Sequence, residues 1–197
     1  MARLFVVSGP SGVGKSTLLR RLVAEVPGLS FVISHTTRPK RAGEVEGRDY
    51  HFVSEAEFDA LIEDDAFVEW AVVHANRYGT SRSALAAGGP HDDLLIEVDV
   101  QGAEALQREV PAAVSIFIAP PDFTDLEARL TGRGRESAEE VRRPLSTARR
   151  ELPRADAYDH VVVNRRVEET VGQLKALVLD IRRTRRYGAR TRRGTTR

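Results

Sequence analysis

The chain has 197 residues, 41% hydrophobic and 30% charged, a globular composition with room for one α/β core and an insertion but too little for two independent domains. Cysteine is absent, which excludes disulfides and thiolate metal sites, and no apolar run is long enough to span a membrane. With no signal-peptide pattern ahead of the first strand, a cytoplasmic location is expected. The net charge of +1 hides an asymmetry: residues 182–197 hold eight arginines and no acid, so the first 181 residues carry −7.

Leu4-Phe5-Val6-Val7 is an apolar run of strand length. It is followed by Gly9-Pro10-Ser11-Gly12-Val13-Gly14-Lys15-Ser16, and a helix-compatible stretch over residues 17–26 opens at Thr17. A G-x-x-x-x-G-K-S pattern between a strand and a helix is a phosphate-binding loop. Its glycines allow a wrapped backbone whose N–H groups converge on a polyphosphate, and the helix directs its positive end to the same place. Lys15 then reaches the β- and γ-phosphates and the Ser16 hydroxyl becomes a Mg²⁺ ligand. A nucleoside triphosphate site over residues 9–17 follows, without the identity of the acceptor.

Further strand-length runs at residues 94–98, 114–118 and 160–163, each followed by a helical stretch, predict a parallel sheet covered by helices on both faces. The region between differs in character. Residues 31–33, 50–53 and 67–73 are β-rich, and a helix between the last two opens at a capping box, Ser54 with Glu57. This predicts an inserted mixed β/α subdomain over residues 34–89, ending at Gly88-Gly89-Pro90, with the core formed by residues 1–33 and 90–181. Within the core, residues 132–152 are dense in Arg and Glu and predict a helical lid. The final helix, residues 167–183, places Val171, Leu174, Leu177, Val178 and Ile181 on one face. The tail, residues 182–197, reads as a frayed or extended helix end; its arginines are the only feature suited to RNA.

Ser34, Arg38 and Arg41 lie in Ser34-His-Thr-Thr-Arg-Pro-Lys-Arg-Ala-Gly-Glu44, ahead of Gly47-Arg-Asp-Tyr50. Two arginines three apart beside hydroxyls suit a phosphate monoester, and equally a solvated basic loop. Glu97 and Asp99, two apart at the carboxyl end of a strand, are expected on one face near the loop.

Together with these segments, Phe67-Val-Glu-Trp70, Arg77-Tyr-Gly-Thr80, Glu97-Val-Asp-Val-Gln-Gly102, Phe117-Ile-Ala-Pro-Pro121, Arg129-Leu-Thr-Gly-Arg-Gly134 and Val161-Val-Val-Asn164 closely resemble the guanylate kinase family in order and spacing. The resemblance covers residues 4–181. It implies a P-loop kinase core, ATP as donor, Mg²⁺, and GMP or dGMP as acceptor, in a monomer or homodimer. It implies that Ser34, Arg38, Arg41, Tyr50 and Tyr78 hold the acceptor phosphate, and that Glu69, Thr80 and Asp99 read guanine. Carboxylates suit guanine because its N1–H and 2-amino group are donors. Glu97, where the family usually has Asp, and Asp99 would organise Mg²⁺ with Ser16, and Arg133 and Asn164 would flank the ATP base. Lys15, Arg38, Arg41 and the lid arginines Arg133 and Arg143 would carry catalysis.

One position departs from the family: Pro144 stands where an arginine commonly reaches the transferring phosphoryl. With a helix capped at Ser137, Pro144 predicts a kink or break near Arg143, and Arg143 as the substitute. A slowed enzyme, a nucleotide-binding scaffold and a kinase for another monophosphate are the readings left open.

Overall fold

In the computed structural model, residues 3–73, 75–88, 92–131 and 138–184 are described, with backbone alone over 138–143. Their elements are β1 (Leu4–Ser8), α1 (Lys15–Glu25), β2 (Leu29–Phe31), β3 (His35–Thr36), β4 (His51–Phe52), α2 (Glu55–Glu63), β5 (Phe67–Val73) and β6 (Asn76–Ser81). Then come α3 (Arg82–Ala86), β7 (Asp93–Glu97), α4 (Val100–Glu109), β8 (Val114–Ala119), α5 (Phe123–Thr131), α6 (Ala138–Glu151), a 3-10 helix (Leu152–Ala157), β9 (His160–Val163) and α7 (Val167–Arg183).

The core is a five-stranded parallel sheet ordered β2-β7-β1-β8-β9. Strand alternation divides its side chains between two layers. Phe5 and Val7 of β1 join Leu18 and Leu22 of α1 and Leu174 and Val178 of α7 on one face. Val6 joins Ile96, Val100, Leu106 and Phe117 on the other. Both faces are covered, so the strands read as continuous apolar runs. A second sheet, ordered β4-β3-β6-β5, is built from residues within 35–81. The capping box forms as expected, Ser54 accepting from Glu57 N while the Glu57 carboxylate accepts from Ser54 N.

Two expectations change. Arg182, assigned to the frayed tail, is held at the end of α7, where it donates to Asp93 (2.8 Å) and to the carbonyls of Pro27 (2.9 Å) and Gly28 (2.8 Å). Residues 185–197 lie outside the described part. The second concerns Pro144: α6 runs through it without a break. The proline removes one backbone donor from the helix, and further along it the Arg149 guanidinium lies over the Phe123 ring, 4.8 Å away. The predicted cap Ser137 lies outside the described residues. Pro144→Ala is therefore expected to raise stability by roughly 1–3 kcal/mol. A thermal midpoint in calorimetry that stays put or falls would show that the helix is adapted to its proline.

Candidate active site

The phosphate loop sits at the carboxyl end of β1, where connections leave the central strand towards both sides of the sheet, the usual position of a ligand crevice. Gly9, Gly12 and Gly14 all have positive φ, and a Cβ at Gly9 would stand 2.2 Å from the Ile118 carbonyl oxygen. Only glycine serves there. Gly14 precedes the first turn of α1, so the backbone N–H groups of Lys15, Ser16 and Thr17 face the loop's concavity. Lys15 Nζ donates to the carbonyls of Gly9 (2.5 Å) and Pro10 (3.1 Å), which bends the lysine over the loop.

The loop is held from behind. Asn164, expected beside the adenine, is instead buried under the loop: its amide donates to Val13 O (2.7 Å) and accepts from the Thr170 hydroxyl (3.0 Å). A buried amide committed in this way supports the loop backbone and is poorly placed to read a base. Arg129 adds to this support by donating to Val13 O (3.4 Å) and Asn164 O (3.0 Å). In sequence Arg129 opens a family motif but carries no assigned role, and its pairing with Asp125 one helical turn earlier gives no hint of this one.

Ser16 Oγ lies 3.1 Å from Glu97 Oε1. A hydroxyl and a carboxylate at the mouth of the loop are the hard oxygen donors that Mg²⁺ takes while keeping much of its water. Asp99 does not share this position. The strand ends at Glu97, and Asp99 turns away to cap α4, accepting from Gly102 N at 2.8 Å. The expected common face of Glu97 and Asp99 is therefore broken, because the capping bond redirects the second acid.

Asp99 points towards the second sheet instead. Glu69, buried on β5, accepts from the Thr80 hydroxyl on β6, to which it is paired across the ladder. Burial pushes the Glu69 carboxyl up to about 7; the Thr80 hydrogen bond offsets part of this and the Asp99 charge adds to it. The three expected base-reading residues thus converge, with two carboxylates and a hydroxyl at one end of the cleft.

Residues expected to hold the acceptor phosphate form a second cluster. Arg38 is buried, donates to Glu44 (2.7 Å) and Pro39 O (2.7 Å), and lies 5.5 Å from the Tyr50 ring centre, while the Tyr50 and Tyr78 rings are 5.9 Å apart. The Arg38 guanidinium and the Arg41 backbone N–H hold the Glu44 carboxyl below the usual range, against its partial burial. Arg41 is exposed at the rim, its N–H on Glu44. Burial pushes the Tyr50 phenol above its ordinary value, so it remains a neutral donor.

A cavity of about 470 Å³ lies between the two groups, lined by Ser16, Arg20 and Glu97 of the core and by Ser34, Asp49 and Tyr50 of the 34–89 segment. Arg20 of α1 pairs with the buried Asp49, and Asp49 also accepts from Val45 N (2.7 Å) and Arg48 (2.9 Å). This bridge from the phosphate-loop helix to the acceptor loop was invisible in sequence, since 29 positions separate its ends. Arg133 and the Arg143 side chain lie outside the described residues.

The guanylate kinase family model matches residues 1–180. A curated guanylate kinase of Mycobacterium leprae is 50% identical over 183 residues, covering 90% of this chain and 86% of its own. That of Neisseria gonorrhoeae is 47% identical over 190 residues, covering 94% and 92%. The crystal structure of guanylate kinase from Anaplasma phagocytophilum matches with a TM-score of 0.74 at 30% identity, over 93% of this chain and 87% of that one.

Proposed function

The chain belongs to the guanylate kinase family and transfers a phosphoryl group from ATP to GMP, and we propose that it does so by Mg²⁺-assisted in-line transfer along the cleft between its two sheets. The observation that carries this reading is the 470 Å³ cavity joining Ser16 and Glu97 to Ser34 and Tyr50. It supports a reading in which the donor and acceptor phosphates meet in one cavity.

On this reading, Lys15 and the loop N–H groups hold the ATP phosphates, and Arg38, Arg41, Ser34, Tyr50 and Tyr78 hold the GMP phosphate. Glu69, Thr80 and Asp99 receive the guanine donors. Residues 34–89 act as the acceptor-binding insertion against the core of 1–33 and 90–181. The acceptor oxygen is already anionic at neutral pH and needs no general base, so the protein's work is alignment and charge neutralisation. Ser16 and Glu97 fit a bound Mg²⁺, which supplies charge neutralisation on the phosphates when present. Asn164 and Arg129 keep the loop from flexing, and Arg133 and Arg143 bring charge from the lid. Among the described residues no helix is long and apolar enough to cross a membrane; a cytoplasmic location is part of the proposed reading.

The test is ADP release with GMP, dGMP, AMP and UMP as acceptors, with and without Mg²⁺. GMP and dGMP are expected to turn over only with the metal and AMP at least about 10³-fold less well, because adenine would leave the buried Glu69 and the half-buried Asp99 without donors. Equal turnover of AMP would overturn the guanine assignment, and unchanged turnover in excess chelator would remove Mg²⁺.

A further inference from the structure

We propose that Gly102 is a positioning residue for base recognition: its bare Cα in the first turn of α4 makes the room in which the Glu69 carboxylate lies beside Asp99. This rests on the reading of Glu69 as an acceptor for a purine carrying adjacent N1–H and 2-amino donors.

A Cβ built at Gly102 would stand 2.7 Å from Glu69 Oε2, 3.2 Å from Val98 Cβ and 3.3 Å from Asp99 Oδ1. Glycine is not there for its backbone freedom, since Gly102 is helical and absent from the positive-φ positions. In a helix interior alanine is the better former, so glycine here works against the local element. Gly172 in α7 makes the contrast, with no atom within 4 Å of its built Cβ. What Gly102 supplies is space, directed at one carboxylate oxygen.

Glu69 cannot yield that space freely. Its other oxygen accepts from Thr80, which is fully buried and paired to it on the adjacent strand. Displacing Oε2 pulls the carboxylate against that bond. Gly102 thereby serves both acids, its N–H donating to Asp99 Oδ1 (2.8 Å) and its missing side chain admitting Glu69. A methyl group at position 102 leaves the capping bond available and takes away the Glu69 position. The base end of the site then loosens while the phosphate loop, on the other side of Glu97, is untouched.

The experiment is steady-state kinetics and thermal unfolding of Gly102→Ala, Glu69→Ala and the double variant. Gly102→Ala is expected to raise KM for GMP about tenfold, with kcat within about threefold, KM for ATP unchanged and no loss of thermal midpoint. In the Glu69→Ala background there is no carboxylate to displace, so adding Gly102→Ala should have no further effect on KM for GMP. If Glu69→Ala leaves KM for GMP unchanged, the guanine reading itself fails. If Glu69→Ala raises it while Gly102→Ala does not, or if the two effects multiply in the double variant, the proposal for Gly102 is overturned. Loss of folding in the double variant would also overturn it, by showing that glycine is required for helix packing alone.

Discussion

Lys15→Met is expected to lower kcat by roughly 10³-fold while leaving the thermal midpoint unchanged. The side chain starts at the first residue of α1 and bends over the loop to the carbonyls of Gly9 and Pro10, so its ammonium stands at the loop's concavity. Those two acceptors are backbone carbonyls of buried residues, but the bonds to them are only partly buried, so water can replace the lysine there at little cost to the fold. Methionine keeps the length and much of the apolar stem. What it loses is a charge whose interaction with the transferring phosphoryl grows as the transition state is approached, which is why kcat falls more than KM for ATP rises. Single-turnover ADP release and a calorimetric scan on the same sample check both halves. A kcat within about tenfold of the parent would place the dominant charge elsewhere, on Mg²⁺ or on the lid.

The parts of this molecule that were legible in sequence are those whose physics is local. Three glycines, a lysine and a serine at fixed spacing specify the phosphate loop because each answers a backbone or reach requirement within eight positions. The capping box at Ser54 and Glu57 and the apolar face of α7 are local in the same sense. The elements that escaped are stabilised by partners distant in the chain. β3 is only His35–Thr36, too short for alternation to register, and it exists because β4 and β6 pair with it on either side. β6, with the sequence Asn-Arg-Tyr-Gly-Thr-Ser, is polar and is held by the ladder to β5.

The site follows the same division. The family motifs pointed to Glu69, Thr80 and Asp99, and they do meet. Spacing misled for Glu97 and Asp99, because period-two alternation holds only while the strand lasts, and an aspartate three residues before Gly102 is also a capping signal that ends it. The engagement of Asn164 with the loop was not legible either: nothing in a Val-Val-Val-Asn segment tells whether its amide faces the ligand or the underside of the loop. At Pro144 the helix continues where a break was one of the two expected outcomes, since a proline's cost in a helix is finite.

The largest effect at the acceptor end belongs to Glu69, and its sign differs between binding and stability. On the proposed reading guanine donates to this carboxyl, so the ionised form binds. With its pKa pushed up to about 7 in the free protein, about one tenth of Glu69 is ionised at pH 6 and nearly all at pH 8. Affinity scales with the competent fraction, so KM for GMP is expected to rise about tenfold from pH 8 to pH 6. The substrate's own phosphate, with a second pKa near ~6, adds to this trend. Glu69→Gln separates the two contributions: it should lose the enzyme's share of the pH dependence, keep the substrate's, and raise KM at pH 8 by roughly 10- to 100-fold, the worth of a charge-assisted hydrogen bond. For stability the order reverses. The folded pKa lies above the ordinary value of 4.5, so the native state favours the protonated form, and stability falls as pH rises from about 4.5 through 7. At pH 8 the buried charge costs about 3 kcal/mol, the order of magnitude of a shift of this size, which a neutral amide does not incur. Glu69→Gln should therefore unfold at a higher temperature than the parent at pH 8 and at a similar one at pH 4, while binding GMP less well at pH 8. A variant less stable at pH 8 with unaltered GMP binding would remove both the raised pKa and the base-reading role.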